Sequence, residues 1–305
     1  MPYFLIIAAT TIWGFGFIAT KWALVALAPG WLTTIRYAVA FLVMVPFLMY
    51  SSKNERMVAL SRNSKRLWIY ALICAALLSG LMIFQTKGLV HTSATNSAFL
   101  TTLYAIFVPM ITFALFRTQM STHYIFAVGA AAFGSALLCG MDVSMLIDGQ
   151  WNAGDLYSIF GALFAALHIV GLERLTRKPV NIHMFNALQY LFTAIFVLPF
   201  AIIFEPQIIH TSVDTISLAL GGLLFLAIPS TVGAFSLQTF AQKSLPSSTA
   251  SLLLLLESPF AMFFAYLLLN ESVDTSKMVG AILIICSSLL VVLPSLLRSP
   301  APNHE

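Results

Sequence analysis

Ten predominantly apolar stretches follow one another along this chain, each near the length that carries a helix across a bilayer, which takes roughly 20 residues. They run about Tyr3–Leu27, Trp31–Tyr50, Leu67–Thr86, Ala94–Phe116 and Tyr124–Gly140. The next five are Asp155–Leu172, Met184–Phe204, Ile216–Gln238, Ser248–Leu269 and Met278–Leu297. Only 9% of the 305 residues are charged, where a soluble domain carries about 25%. A water-facing surface cannot be made from so few charges, so the chain is an integral membrane protein. A transmembrane barrel would show ten-residue segments of alternating polarity. These runs are long and rich in Leu and Ala, so the spans are helices. Cys74, Cys139 and Cys286 all fall inside apolar runs and read as buried thiols. Tyr3–Leu27 lacks a basic leader and is expected to remain as a span.

The chain also repeats itself. At an offset of 153 positions, Phe84-Gln85-Thr86 falls on Leu237-Gln238-Thr239 and Ser97-Ala98-Phe99-Leu100 on Ala250-Ser251-Leu252-Leu253. The same shift puts Arg36-Tyr37 on Gln189-Tyr190, Pro46-Phe47 on Pro199-Phe200 and Gly80 on Gly233. Leucine coincidences mean little here, but Gln, Tyr, Pro and Gly at one constant shift mark a duplication. We divide the chain into a first five-helix unit (3–140), an extracytoplasmic connector (141–153), a second unit (154–297) and a tail (298–305). Lys and Arg set the orientation. With the N-terminus in the cytoplasm, the inside loops hold Lys53, Arg56, Arg62, Lys65, Arg66, Arg117, Arg174, Arg177, Lys178 and Lys243, with Arg298 on the tail. The outside connections hold only Lys21, Lys87 and Lys277. Both termini are therefore expected inside, and the net charge of +4 reflects loop placement rather than nucleic-acid binding. Five is odd, so the second unit enters from the opposite face. Two inverted five-helix repeats enclosing a midplane site are a signature of secondary transporters.

Glu257 is the sharpest candidate. It lies mid-span behind five leucines, where a charged carboxylate costs about 2.5–3.5 kcal/mol on insertion scales. It is either a proton-carrying group of the transport cycle or a structural carboxyl, bonded to a neighbouring helix or held neutral. Tyr104 is its partner at the 153 offset and should face it across the pseudo-axis. Helical spacing puts Thr101, Ser97 and Asn96 on the stripe of Tyr104. Gln85 and Gln238 lie near the ends of their spans and are expected to gate the pathway or cap helices, capping being favoured. Trp13 sits deeper than the interfacial belt and either lines a pocket or packs as a core indole. His168 either relays protons or bonds a backbone carbonyl, the latter favoured. Arg36 is expected to snorkel to the outer surface, with binding of a substrate carboxylate as the alternative. Pro46, Pro109, Pro199, Pro229 and Pro259 should kink their helices, and Pro259 should free a carbonyl near Leu255. The small-residue fifth and tenth spans read as buttresses or dimer surfaces, leaving monomer and homodimer both open.

The run from Ser93-Ala94-Thr95-Asn96 to Leu103-Tyr104, on to Val108-Pro109, resembles the fourth span of EamA-type proteins of the drug/metabolite transporter superfamily. Leu256-Glu257-Ser258-Pro259-Phe260 through Asn270-Glu271 is similar to that family's ninth span, and Trp13-Gly14 to its first. Ser258 between Glu257 and Pro259 departs from the family's pattern. The resemblance implies a ten-helix carrier of the cytoplasmic membrane that moves amino acids or related small metabolites, often outward. It also implies a central cavity formed by spans one, three, four, six, eight and nine. We expect a carrier working by alternating access, with no cofactor, metal or covalent intermediate: the chain has no phosphate-binding Gly-Lys loop and no His-Glu-x-x-His. One alternative is a cation or multidrug exporter of the same fold. Another is an intramembrane hydrolase, for which the paired acids or Ser–His dyad are missing.

Overall fold

The computed structural model describes residues 1–50, 64–92, 97, 100–118, 120–138, 152–177, 181–205 and 216–297. Its regular elements are all helices: α1 (Pro2–Leu24), α2 (Pro29–Tyr50), α3 (Ser64–His91), α4 (Tyr104–Phe116), α5 (Thr122–Leu138), α6 (Ala153–Thr176) and α7 (Ile182–Phe204). They continue as α8 (Ile216–Gln242), α9 (Ser247–Leu269) and α10 (Thr275–Leu297). Eight are long and apolar enough to cross a membrane, while α4 and α5 are shorter apolar helices. Large apolar side chains such as Leu42, Phe126, Phe133, Ile203 and Ile282 are exposed, as lipid contact requires. Asn96, most of the 141–153 connector and the 298–305 tail lie outside the described residues.

Local chemistry sets several helix ends. Asn152 and Asp155 form a reciprocal capping box at the start of α6, with bonds of 2.8 and 3.1 Å. Asn181 caps α7 through Met184 N–H at 3.0 Å. The carboxylate of Glu173 accepts the Ser247 N–H at 2.7 Å and so caps α9 from α6. Glu205, just past α7, accepts the Gly30 N–H at 2.7 Å, and its carbonyl accepts Trp31 Nε1–H at 2.7 Å. These two bonds tie the start of α2 to the end of α7.

Two helices are broken where they matter. In α8 the turns Leu226–Ala234 are π-helical. Pro229 has no N–H to complete the ordinary ladder, the turn widens, and Thr231 Oγ1–H donates to the Leu226 carbonyl at 2.8 Å. In α9 the chain tightens instead. Leu255 N–H bonds Leu252 O, Leu256 N–H bonds Leu253 O and Ser258 N–H bonds Leu255 O, at 3.3, 3.2 and 3.1 Å. The carbonyl expected to be freed near Leu255 is thus taken up by Ser258, and a new helical segment begins at Glu257. The same tightening precedes α4, where Leu103 N–H bonds Leu100 O and Ile106 N–H bonds Leu103 O. Pro46, Pro109 and Pro199 lie within continuous helices.

The neighbour pattern is regular. Helix α3 packs on α6 and α7, α1 on α8 and α9, α4 on α6, α2 on α7 and α8, and α5 on α10. Exchanging each helix with the one five places on maps this set onto itself. Along α2 and α7 the contacts run in opposite directions: Gly30 meets Ala201 and Glu205, while the rings of Tyr37 and Tyr190 lie tilted to each other, 6.0 Å between centroids. The α5–α10 pair does the same, with Ser276 bonded to Leu137 O and Gly134 set against Leu283. That pair approaches closely because Gly134 and Gly280 face each other. A Cβ at Gly134 would sit 2.8 Å from the Gly280 carbonyl.

Candidate functional site

The breaks in α8 and α9 open onto a small cavity bounded by α1, α2, α3, α4, α6, α8 and α9. Trp13, Gln85, Thr101, Tyr104, His168, Gln238 and Glu257, drawn from six helices, all line it. Asn96 is the one candidate that falls outside the described residues.

Glu257 is 8% exposed, and its carboxyl has no hydrogen-bond partner among the described residues. The tight turn at Leu255–Leu256 places it first in its helical segment and on the cavity wall. Tyr104 occupies the same place in α4. Its hydroxyl lies in the field of Glu257 and is itself without a hydrogen-bond partner among the described residues. Thr101 Oγ1–H is tied back to Ser97 O at 2.7 Å.

Trp13 faces the cavity, its Nε1–H donates to Ser230 O at 3.1 Å, and its ring meets Phe235 edge-on at 4.8 Å. His168 departs from the favoured reading. Its Nε2 donates to the Gln189 side-chain oxygen at 3.4 Å, not to a backbone carbonyl, and its ring meets Phe235 edge-on at 6.0 Å. The helices also run past the two glutamines, so neither is a cap. Helix α3 extends to His91 and α8 to Gln242, and Gln238 is 2% exposed, its Oε1 unpaired among the described residues.

Arg36 is the main correction. It does not reach the outer surface: it is 8% exposed and lines the cavity. Helix α2 begins at Pro29, pinned there by Glu205, which sets Arg36 about two turns deep. Its Nε donates to Thr231 Oγ1 at 2.7 Å, its Nη2 to Ser230 Oγ at 3.0 Å and its Nη1 to Met82 Sδ at 3.7 Å. Tyr190 donates to the Thr231 carbonyl at 2.9 Å from the other side. Sequence reasoning named neither Ser230 nor Thr231. Pro229 in mid-span was the signal that this turn is irregular. Among the described residues no group of three His, Cys, Asp or Glu side chains comes together to hold a metal ion.

The sequence model of the EamA-like transporter family matches residues 1–140 and 152–293. The chain belongs to that family. EamA proteins form part of the drug/metabolite transporter superfamily, and the protein is a membrane transporter. Relatives of the chain carry transporter descriptions. An uncharacterized transporter of Archaeoglobus fulgidus is 28% identical over 288 residues, covering 92% of this chain and 82% of its own. The uncharacterized transporter YoaV of Bacillus subtilis is 25% identical over 281 residues, covering 92% and 93%. A solved structure described only as the crystal structure of a protein superposes with a TM-score of 0.70 at 16% identity, over 98% of this EamA chain and 99% of its own. That likeness speaks for the fold alone.

Proposed function

We propose that this EamA protein is a secondary carrier that moves a small metabolite outward by alternating access, with Glu257 as its proton-coupling group. The observation that carries the reading is a nearly buried carboxyl, without a hydrogen-bond partner among the described residues, on the wall of a shared cavity. In a membrane interior, such an acid marks a substrate, ion or proton pathway. The cavity draws on both halves of the chain. The paired helices α2–α7 and α5–α10, equivalent under the 153 offset, run in opposite directions. Both facts favour two five-helix units (3–140 and 154–297) of opposite membrane orientation that rock about a common site. The Lys and Arg distribution favours a cytoplasmic membrane with both termini inside.

The test is Glu257→Gln in proteoliposomes with an imposed pH gradient. The expected result is loss of gradient-driven flux, with solute counterflow and Tm retained. Wild-type flux with wild-type pH dependence in the variant overturns the coupling role.

A further inference from the structure

We propose that Arg36 is the recognition point for a substrate carboxylate, and that the transported solute is a monocarboxylate with an apolar or aromatic body. This rests on the carrier reading and names what the carrier holds.

A guanidinium has five N–H donors and stays protonated. At Arg36 three donors meet neutral acceptors, those of Thr231, Ser230 and Met82. The others have no acceptor among the described residues. An ion pair joins Arg177 to Glu173 at 2.8 Å; among the described residues no carboxylate is set against Arg36. A charge this buried is costly unless something pairs with it, and here the open side of the group is the cavity. Its neutral contacts orient it without neutralising it. The π-helical turn of α8 holds both hydroxyls, and Thr231 is itself fixed by its bond to Leu226 O. A planar fork held in this way matches a carboxylate with two parallel bonds.

The rest of the wall narrows the choice. Glu257 shares the cavity, so a dianion such as a phosphate monoester would meet one cation and one acid, whereas a monoanion balances Arg36. Trp13 and Phe235, in edge contact at 4.8 Å, offer an apolar surface for the body of the solute.

The experiment uses the full-length protein, in detergent for thermal shift and in liposomes for counterflow. The probes are 3-phenylpropionate, 4-methylvalerate, L-leucine and L-phenylalanine, each beside its carboxamide, with phenyl phosphate added. Wild-type protein should be stabilised by at least one acid and should discriminate against its amide by about 30-fold or more in apparent affinity. Arg36→Gln, which installs the residue found at the 153-offset position, should fold and bind acid and amide alike. Arg36→Lys should keep the preference for the acid but weaken it, because an ammonium lacks the fork. A merely structural arginine would lose Tm on substitution without changing the ratio of acid to amide. Equal binding of acid and amide by the wild type, no response to any acid, a stronger response to phenyl phosphate, or an unchanged ratio in Arg36→Gln overturns the assignment. Counterflow of the amides in that case leaves the carrier reading standing. Absence of counterflow for every probe removes the carrier as well.

Discussion

The two halves of the molecule share a scaffold but not a chemistry. Helices α4 and α9 each restart after a tightened turn, at Tyr104 and Glu257, and each ends on a left-handed residue, Arg117 at φ 50° and Asn270 at φ 54°. These positions are 153 residues apart, as are Tyr37 and Tyr190, which meet between α2 and α7. At the cavity the correspondence stops. Arg36 is matched by Gln189, Glu257 by Tyr104, Trp13 by Ala166 and His168 by Phe15. Helix α3 is continuous, whereas its counterpart α8 is widened at Pro229, where α3 has Ala76. Backbone constraints repeat because both halves solve the same packing problem. The charged and aromatic groups differ between the halves although residues of both line one cavity.

The largest expected effect breaks the scaffold where the halves differ. Gly14 lets α1 lie on α9, and a Cβ there would be 2.5 Å from Phe260 Cβ and 2.9 Å from the Ala261 backbone nitrogen. Backbone cannot yield as a flexible side chain does. Gly14→Leu should therefore cost more than the roughly 1–3 kcal/mol typical of overpacking and show as a large loss of folded protein in detergent. The matching residue in the second half is Leu167, partly exposed on α6. Leu167→Gly should cost about 1 kcal/mol, mostly in helix propensity. Similar losses in the two variants would mean that α1–α9 and α6–α4 are packed alike.

How legible this was depended on distance along the chain. The apolar helices, and the isolation of Glu257, Tyr104 and Trp13 inside apolar runs, could be read locally. Helix ends could not. Reading α3 as stopping at Thr86, when it runs to His91, made Gln85 look terminal. Reading α8 as stopping at Gln238, when it runs to Gln242, did the same for that residue. Arg36 was misplaced for a related reason. Its depth is fixed by Glu205, 175 positions from Gly30, and its partners lie 194 and 195 positions away on α8. No periodicity within α2 carries that information.

A second test exchanges the chemistry without touching the scaffold. Combining Tyr104→Glu with Glu257→Tyr moves the acid to the equivalent place in the other half, on the wall of the same cavity. The double variant should fold with a Tm near wild type. Arg36, Trp13 and His168 do not move with the acid, so gradient-driven flux should fall by roughly 100-fold, the scale set by misplacing a reacting group. Wild-type flux and pH dependence would show that the halves are interchangeable in function.

The smallest effect separates the two left-handed caps. Both accept the strained conformation, Arg117 at φ 50°, ψ 34° and Asn270 at φ 54°, ψ 30°, and each N–H still closes a bond, to Phe113 O and Ala265 O respectively. The steric cost there is about 1–2 kcal/mol for an ordinary side chain and less for Asn. Glycine removes the strain but adds freedom to the unfolded chain, which takes back part of the gain. Arg117→Gly should therefore be stabilising by up to about 1 kcal/mol, and Asn270→Gly by no more than a few tenths of that. Thermal unfolding of the two variants side by side decides it. An equal gain at both positions would mean that the backbone alone sets the cost, and that the Asn in the second half contributes nothing that Arg in the first half lacks.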